Sequence, residues 1–182
     1  MTGQSKSRPV VKFQHLEDED GLWSMDFDGA LGKEGAGIGI WIWSPVGKLG
    51  GISSSARELS YKLAFDCSNN KSEYESLITG LKILKKLGAK WISVYGDSEL
   101  VIKQVKGEYQ AKHPWMRAYR NVVLDVLKMF HEYTLTLVPR AQNIITYSLA
   151  TIASNLKIMM NSNNKFEIHV KHRPYVPDNL RY

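Results

Sequence analysis

Hydrophobic positions along the chain change their spacing several times, and each spacing predicts one kind of element. From Leu22 to Gly29, Met25 and Phe27 alternate with two aspartates, which predicts a first strand that runs into a turn at Gly29. Ile38 to Trp43 is apolar without alternation, and this predicts a second strand that is buried on both faces. The chain therefore begins its folded part with strands.

The start of the second predicted strand is rich in glycine, at Gly35, Gly37 and Gly39. Such a run suggests a phosphate-binding loop, but no helix start and no GK[ST] sequence follows it. A turn with close packing is the favoured interpretation. We expect a hairpin turn at Ser44 to Lys48 and two further extended segments between Leu49 and Phe65.

The later part of the chain alternates between helices and strands. A helix is expected from Asn70 to Gly88, with Asn70 as its N-cap and Glu73 completing a capping box. The next elements are a strand at 91–96, helices at 98–106 and from 113, a strand at 134–138 and a helix at about 144–159. We expect residues 1–20 to form a flexible tail, residues 21–158 the domain, and residues 159–182 a polar, partly ordered extension.

This order of elements predicts an α/β fold with a mixed sheet flanked by helices. The first strands have short connections and should pair antiparallel, whereas the strand at 91–96 follows a helix and should lie parallel to the first strand. Asp28 and Asp97 then both stand at the carboxyl ends of neighbouring parallel strands. Glu73 lies on the connecting helix and can reach the same crevice, while Asp26 and Glu75 are expected to be solvated.

Three carboxylates in one crevice repel one another unless a cation neutralises them. Oxygen ligands favour Mg²⁺ or Mn²⁺, and two such ions can catalyse phosphodiester hydrolysis, one activating water and the other stabilising the leaving oxygen. Each residue also has a purely structural interpretation. Asp28 could be a turn residue, Glu73 a capping-box acid, and Asp97 the cap of the next helix.

Composition narrows the class of protein. The 182 residues, 43% hydrophobic and 23% charged, fit one globular domain with tails. Cys67 is the single cysteine, which excludes a disulfide framework and a cysteine-based zinc site. No apolar run reaches the ~20 residues that span a bilayer, and the first residues do not resemble a secretory signal. The net charge of +6 favours a polyanionic partner.

Four motifs, in order and with preserved spacing, resemble the type I ribonuclease H domain, most closely that of plant gypsy-type LTR retrotransposon polyproteins. The motifs are FDGA at 27–30, NNKSEYESLITGL at 69–81, VYGDSELVIKQVKGE at 94–108, and VPRAQN with SLATIAS at 138–154. The resemblance spans about residues 22–154, and the segment through Arg173 and Pro174 is similar to the one that leads toward integrase in such polyproteins.

The resemblance implies a ribonuclease H-like fold with a mixed five-stranded sheet and Mg²⁺-dependent cleavage of the RNA strand of RNA/DNA hybrids, with Mn²⁺ as a second candidate ion. It assigns catalysis and metal binding to Asp28, Glu73 and Asp97. It assigns substrate contacts to Gly29, Asn70 and Ser98, on a surface that reads the 2′-hydroxyl groups of the RNA. The resemblance also implies an RNA/DNA hybrid, and reverse transcriptase and integrase segments of a polyprotein, as partners. It implies no membrane partner and a location in the cytoplasm or the nucleus.

The sequence departs from the family pattern in three places. Tyr147 occupies the position of the fourth carboxylate, and a neutral phenol is a poor Mg²⁺ ligand. No histidine occurs in the loop at 138–143, and no basic handle occurs between Gly107 and Pro114. A surface formed by Lys103, Lys106, Lys112 and Arg117 could compensate for the handle or be an ordinary solvated helix face.

These departures leave three functions open. The domain could be an active hybrid endonuclease, a degenerate domain that binds hybrid without cutting it, or a packing module beside a reverse transcriptase.

Overall fold

A six-stranded sheet with helices on both faces forms the centre of the protein. The computed structural model describes residues 21–45, 55–156 and 168–178. The strands are β1 (Leu22–Gly32), β2 (Gly35–Ser44), β3 (Ser55–Leu63), β4 (Trp91–Gly96), β5 (Glu132–Leu137) and β6 (His169–Lys171). The helices are α1 (Asn69–Lys86), α2 (Glu99–Lys106), α3 (Pro114–Leu127) and α4 (Ile144–Asn155), with a 3₁₀ turn at Arg140–Gln142.

The strand order is β5-β4-β1-β2-β3-β6. β1, β2 and β3 pair antiparallel, because short connections join them, whereas β4 and β5 add in parallel on the other side of β1. The predicted mixed α/β sheet is thus confirmed, but the predicted number of five strands is one too low. The sixth strand lies in the C-terminal extension and pairs with β3, a long-range contact that no local pattern reveals.

The first strand is longer than the pattern predicts. β1 does not turn at Gly29, because it stays paired with β2 as far as Gly32, and the turn follows at residues 33 and 34. What ends here is the parallel ladder with β4, whose last pair joins Phe27 to Gly96. Asp28 is the first residue beyond that ladder, so it still lies at the carboxyl end of the parallel strands.

Adjacent residues of β1 point to opposite faces of the sheet. Met25, Phe27 and Gly29 face α1, and the side chains of Met25 and Phe27 join the core formed with the buried leucines of that helix. Asp26 and Asp28 face the side that α4 covers. The core therefore anchors the same short stretch of β1 that carries Asp28.

Helix α4 lies directly on β2 because β2 has glycines there. A Cβ atom added at Gly39 would fall within 2.8 Å of the Leu149 Cβ atom and would overlap the carbonyl oxygen of Thr146. Gly37 is equally close to Ala150. The close packing predicted for these glycines is confirmed, and it brings the first turn of α4 beside the end of β1.

Several predicted element boundaries change. Ser68 rather than Asn70 is the N-cap of α1, and its hydroxyl accepts from the Lys71 amide, so the predicted capping box is wrong. Between residues 49 and 65 the structure describes one strand, β3. The predicted tail at 1–20, the turn residues 46–48 and the last predicted helical residues, 157–159, lie outside the described residues. In the described ranges no helix is long and apolar enough to cross a membrane.

Candidate active site

Three carboxylates meet where β1, α1 and β4 converge. Asp28, Glu73 and Asp97 each offer an oxygen, and these oxygens lie within 4.8 Å of one another. The helical crossover causes this arrangement, because it makes β4 the parallel neighbour of β1 and places the start of α1 above both strand ends. The structure therefore brings together the three residues predicted from sequence, and their role as metal ligands stays a prediction.

The amide of Gly29 connects two of these carboxylates. Its N–H donates to Asp28 Oδ1 at 3.0 Å and to Glu73 Oε2 at 3.2 Å. A side chain at Gly29 does not fit, because a Cβ atom would lie 2.5 Å from the backbone carbon of Ser72 and 2.6 Å from the Glu73 nitrogen. Glycine at this position lets α1 approach β1 closely enough for Glu73 to join the site.

Asp28 is further held by the helix. Its backbone N–H donates to Ser76 Oγ at 3.1 Å, and the Ser76 hydroxyl in turn donates to the carbonyl of Gly39 at 3.1 Å. Asp28 Oδ2, by contrast, is buried and has no hydrogen-bond partner among the described residues. A buried carboxylate oxygen without a donor is costly unless a cation or a proton binds it.

Burial and mutual repulsion make this cluster hard to ionise. Burial raises the pKa of Asp28 from 3.8 to about 6, and the nearby charge of Asp97 acts in the same direction. Burial also raises the pKa of Glu73 well above its ordinary value, with the charge of Asp28 as the next cause. Both shifts have burial as their first cause and repulsion between the carboxylates as a further one, and a divalent ion bound here would favour the ionised forms.

Asp97 has two partners of its own. Asn143, just before α4, donates its Nδ2 hydrogens to Asp97 Oδ1 at 3.1 Å and to the carbonyl of Phe27 at 3.0 Å. Arg140, in the 3₁₀ turn, donates its Nε hydrogen to Asp97 Oδ2 at 3.2 Å. Ser98 is the N-cap of α2, since its hydroxyl accepts from the Val101 amide, and the alternative interpretation of Asp97 as the cap is therefore wrong.

Comparison with known proteins agrees with this arrangement. The family model described as "Reverse transcriptase-like" matches residues 26–153, which include every residue of the site. The chain belongs to this reverse transcriptase-like family. Its fold and its neighbours show an RNase H-like domain.

Relatives of this RNase H-like domain are both archaeal and bacterial. Ribonuclease HI of Halobacterium salinarum is 33% identical over 138 residues, which are 75% of this chain and 66% of that protein. The crystal structure of RNase H1 from the same archaeon has a TM-score of 0.59 at 31% identity, covering 73% of this chain and 97% of that one.

The bifunctional protein Rv2228c of Mycobacterium tuberculosis is 32% identical over 126 residues, which are 69% of this chain but 33% of that protein. The structure of its N-terminal RNase H domain, solved as a fusion with maltose-binding protein, has a TM-score of 0.63 at 30% identity. It covers 74% of this chain and 99% of that one. The similarity to Rv2228c is thus to one domain of a longer protein.

In this RNase H-like domain, Tyr147 packs against the site through an arginine. The guanidinium carbon of Arg140 lies 5.1 Å from the centre of the Tyr147 ring, in cation–π geometry. The same guanidinium is bonded to Asp97, and this hydrogen bond is the main cause that raises the pKa of Arg140. Tyr147, Arg140 and Asp97 therefore form a continuous contact at the rim of the domain.

The predicted substrate residues have different environments. Gly29 is buried and its N–H serves the carboxylates. Asn70 is half-buried in the first turn of α1, and Ser98 is half-buried as a helix cap. Their contacts with substrate stay predictions.

Two acidic residues that were expected to be solvated are buried. Asp26 is 3% exposed, because its position on β1 faces a covered side of the sheet. Glu75 is fully buried, because the C-terminal segment covers it. Lys171 Nζ lies 2.7 Å from its Oε2, and the amide of Tyr175 donates to its Oε1 at 2.8 Å. Both expectations were wrong, and the covering contacts are distant in sequence.

Sequence reasoning missed three residues that position the site, namely Ser76, Arg140 and Asn143. Ser76 follows Glu73 by one helical turn, so spacing alone could have identified it. The other two lie in the VPRAQN motif, but only the tertiary structure shows that both bind Asp97.

Proposed function

We propose that this domain is a divalent-metal-dependent endonuclease that cleaves the RNA strand of RNA/DNA hybrids. The observation that carries the proposal is the cluster of Asp28, Glu73 and Asp97, with one buried carboxylate oxygen that lacks a donor. The similarity to ribonucleases H supports the substrate class. An RNase H1 that is 24% identical, with a TM-score of 0.58 over 73% of this chain and 96% of that one, is known in complex with an RNA/DNA hybrid.

The three carboxylates would hold Mg²⁺ or Mn²⁺, since their hard oxygen atoms suit these ions. A divalent ion supplies a Lewis acid that lowers the pKa of a bound water and neutralises phosphate charge. Gly29 fixes the spacing of Asp28 and Glu73 through its shared N–H. Asn143 fixes the orientation of Asp97, so the ligands are held in place before any ion binds.

Recognition of the hybrid would use the surface around the cluster. Asn70 in the first turn of α1 and Ser98 at the start of α2 flank the carboxylates and have polar side chains. We propose that they and the backbone of Gly29 contact the hybrid in its minor groove, where the 2′-hydroxyl groups distinguish RNA from DNA.

The test is cleavage of an end-labelled RNA/DNA duplex with Mg²⁺ or Mn²⁺. Wild type should cut the RNA strand, Asp97→Asn should not, and RNA/RNA and DNA/DNA duplexes of the same sequence should stay intact. Asp125→Asn is the matched control, because Asp125 is exposed on α3 and pairs with Lys128 of the same helix end. Wild type that cuts none of the duplexes with either ion would refute the proposal.

Tyr147 specifically favours a second candidate, a domain that binds hybrid without cutting it. A phenol cannot supply the charge of a fourth carboxylate near neutral pH. In this case wild type would bind the hybrid but leave it intact, and Tyr147→Asp would restore cleavage.

We further propose an origin in a gypsy-type LTR retrotransposon polyprotein, with reverse transcriptase and integrase segments as neighbours. Finding this sequence in frame between such segments would test that origin.

A further inference from the structure

The rim of the cluster carries a fixed positive charge. Arg140 donates its Nε hydrogen to Asp97, while its guanidinium carbon lies 5.1 Å from the centre of the Tyr147 ring. An arginine has five N–H groups, and four of them are on its terminal nitrogens, beyond the bond to Asp97. Arg140 is 69% exposed, so these groups can reach a phosphate that approaches from solvent.

Tyr147 does more than remove a ligand. In the position where the resemblance places a fourth carboxylate, it offers an aromatic face. That face contacts the guanidinium of Arg140, a cation that belongs to the protein itself. A mobile divalent ion next to Asp97 Oδ2 would have to displace the guanidinium or share the oxygen with it. The contact thus disfavours a second ion on this side of Asp97.

The charges agree with this view. Asp28, Glu73 and Asp97 carry three negative charges when ionised. Before a hybrid binds, one divalent ion and the Arg140 guanidinium together would carry three positive charges, whereas two divalent ions and the guanidinium would leave an excess of two. In a cluster of low exposure such an excess is unfavourable.

We propose that this domain binds one divalent ion, and that Arg140, held by Tyr147, takes the place of a second ion. This inference rests on the proposed function and replaces the two-ion mechanism expected from the sequence. Asp28, Glu73 and Asp97 would hold the ion. The guanidinium contacts a non-bridging oxygen of the scissile phosphate and stabilises the charge that develops there.

The experiment is to titrate the full chain with Mn²⁺, measuring the number of bound ions and their affinity by calorimetry and by the Mn²⁺ paramagnetic resonance signal. Wild type should bind one ion per chain. Arg140→Ala should bind that ion about tenfold more tightly, because the positive charge that is bonded to Asp97 has been removed. The same variant should cut hybrid roughly hundredfold more slowly, because it has lost a phosphate contact.

Two substitutions at the tyrosine complete the set. Tyr147→Phe keeps the aromatic face and should change both quantities less than Tyr147→Leu does. Tyr147→Leu removes that face and should change both quantities in the direction of Arg140→Ala. Both side chains are exposed, so circular dichroism should show folded variants.

Opposite changes in ion affinity and cleavage rate are not expected of a residue that only maintains the structure. Two bound ions in wild type, or an unchanged or weaker Mn²⁺ affinity in Arg140→Ala, would overturn the inference. One bound ion without any cleavage of hybrid would refute the proposed nuclease function but not the single-ion site.

Discussion

Replacing Asp28 by asparagine should stabilise the protein when no divalent ion is present. In the folded chain Asp28 is only 1% exposed and lies next to Glu73 and Asp97. Its pKa is therefore raised from 3.8 to about 6. Above pH 6 the side chain is ionised in both the folded and the unfolded chain, and the folded chain bears the cost of the buried charge. A pKa difference of about two corresponds to about 3 kcal/mol of lost stability.

Because the pKa of Asp28 is higher in the folded chain, the free energy of unfolding falls as the pH rises. Well below pH 4 the group is protonated in both states and contributes nothing. As the pH rises from about 4 to 6, the unfolded chain releases its proton first, so the free energy of unfolding falls. It then stays at its lower value. The raised pKa of Glu73 acts in the same direction, and since the two groups interact, they titrate as a pair.

An asparagine removes the charge and keeps the acceptor that the Gly29 amide needs. Allowing for an imperfect fit of the new amide, we expect a gain of about 2 kcal/mol at pH 8, or roughly 4 to 8 °C in Tm for a chain of this size. The assay is urea unfolding in chelator at pH 4 and pH 8. The gain should be much smaller at pH 4 than at pH 8, and Asp125→Asn should change little at either pH.

Divalent ions should make wild type more stable than Asp28→Asn. Saturating Mg²⁺ binds the folded wild type and stabilises it by mass action, whereas the variant lacks a ligand. If Asp28→Asn is less stable than wild type in chelator at pH 8, or if its gain is the same at both pH values, the reasoning about buried repulsion is wrong.

Three further outcomes follow from individual contacts. Gly29→Ala should lower cleavage and destabilise by about 1–3 kcal/mol, because its methyl group would overlap α1 at Ser72; activity and urea unfolding equal to wild type would contradict this. Lys62→Met should lower the free energy of unfolding by about 1–3 kcal/mol, since the buried ammonium, whose pKa burial lowers, donates to two backbone carbonyls at 2.6 and 2.8 Å. Glu75→Gln should loosen the C-terminal segment by weakening the contact with Lys171, so limited proteolysis should cut that segment earlier than in wild type; unchanged cleavage times would refute the anchoring role.

Local patterns determined most of the elements and the identity of the three carboxylates. The spacing of apolar residues indicated α1, α3 and β4, because these elements bury one side or both. A buried side requires apolar residues at a regular spacing along the sequence. The order of strands and helices then implied a parallel β1–β4 pair. That pairing was sufficient to bring Asp28 and Asp97 to one edge, since parallel strands end on the same side.

Contacts between distant segments decided the rest. The helical pattern predicts a solvated Glu75 on α1, but Tyr119 and the returning residues 168–178 cover it. β1 continues past Gly29 because β2 stays paired with it, which the local Asp-Gly sequence does not indicate. The contact of Arg140 with Asp97 and Tyr147 likewise joins a turn, a strand end and a helix. A local sequence pattern predicts which residues are buried. The contacts between residues that are distant in sequence depend on how the whole chain packs.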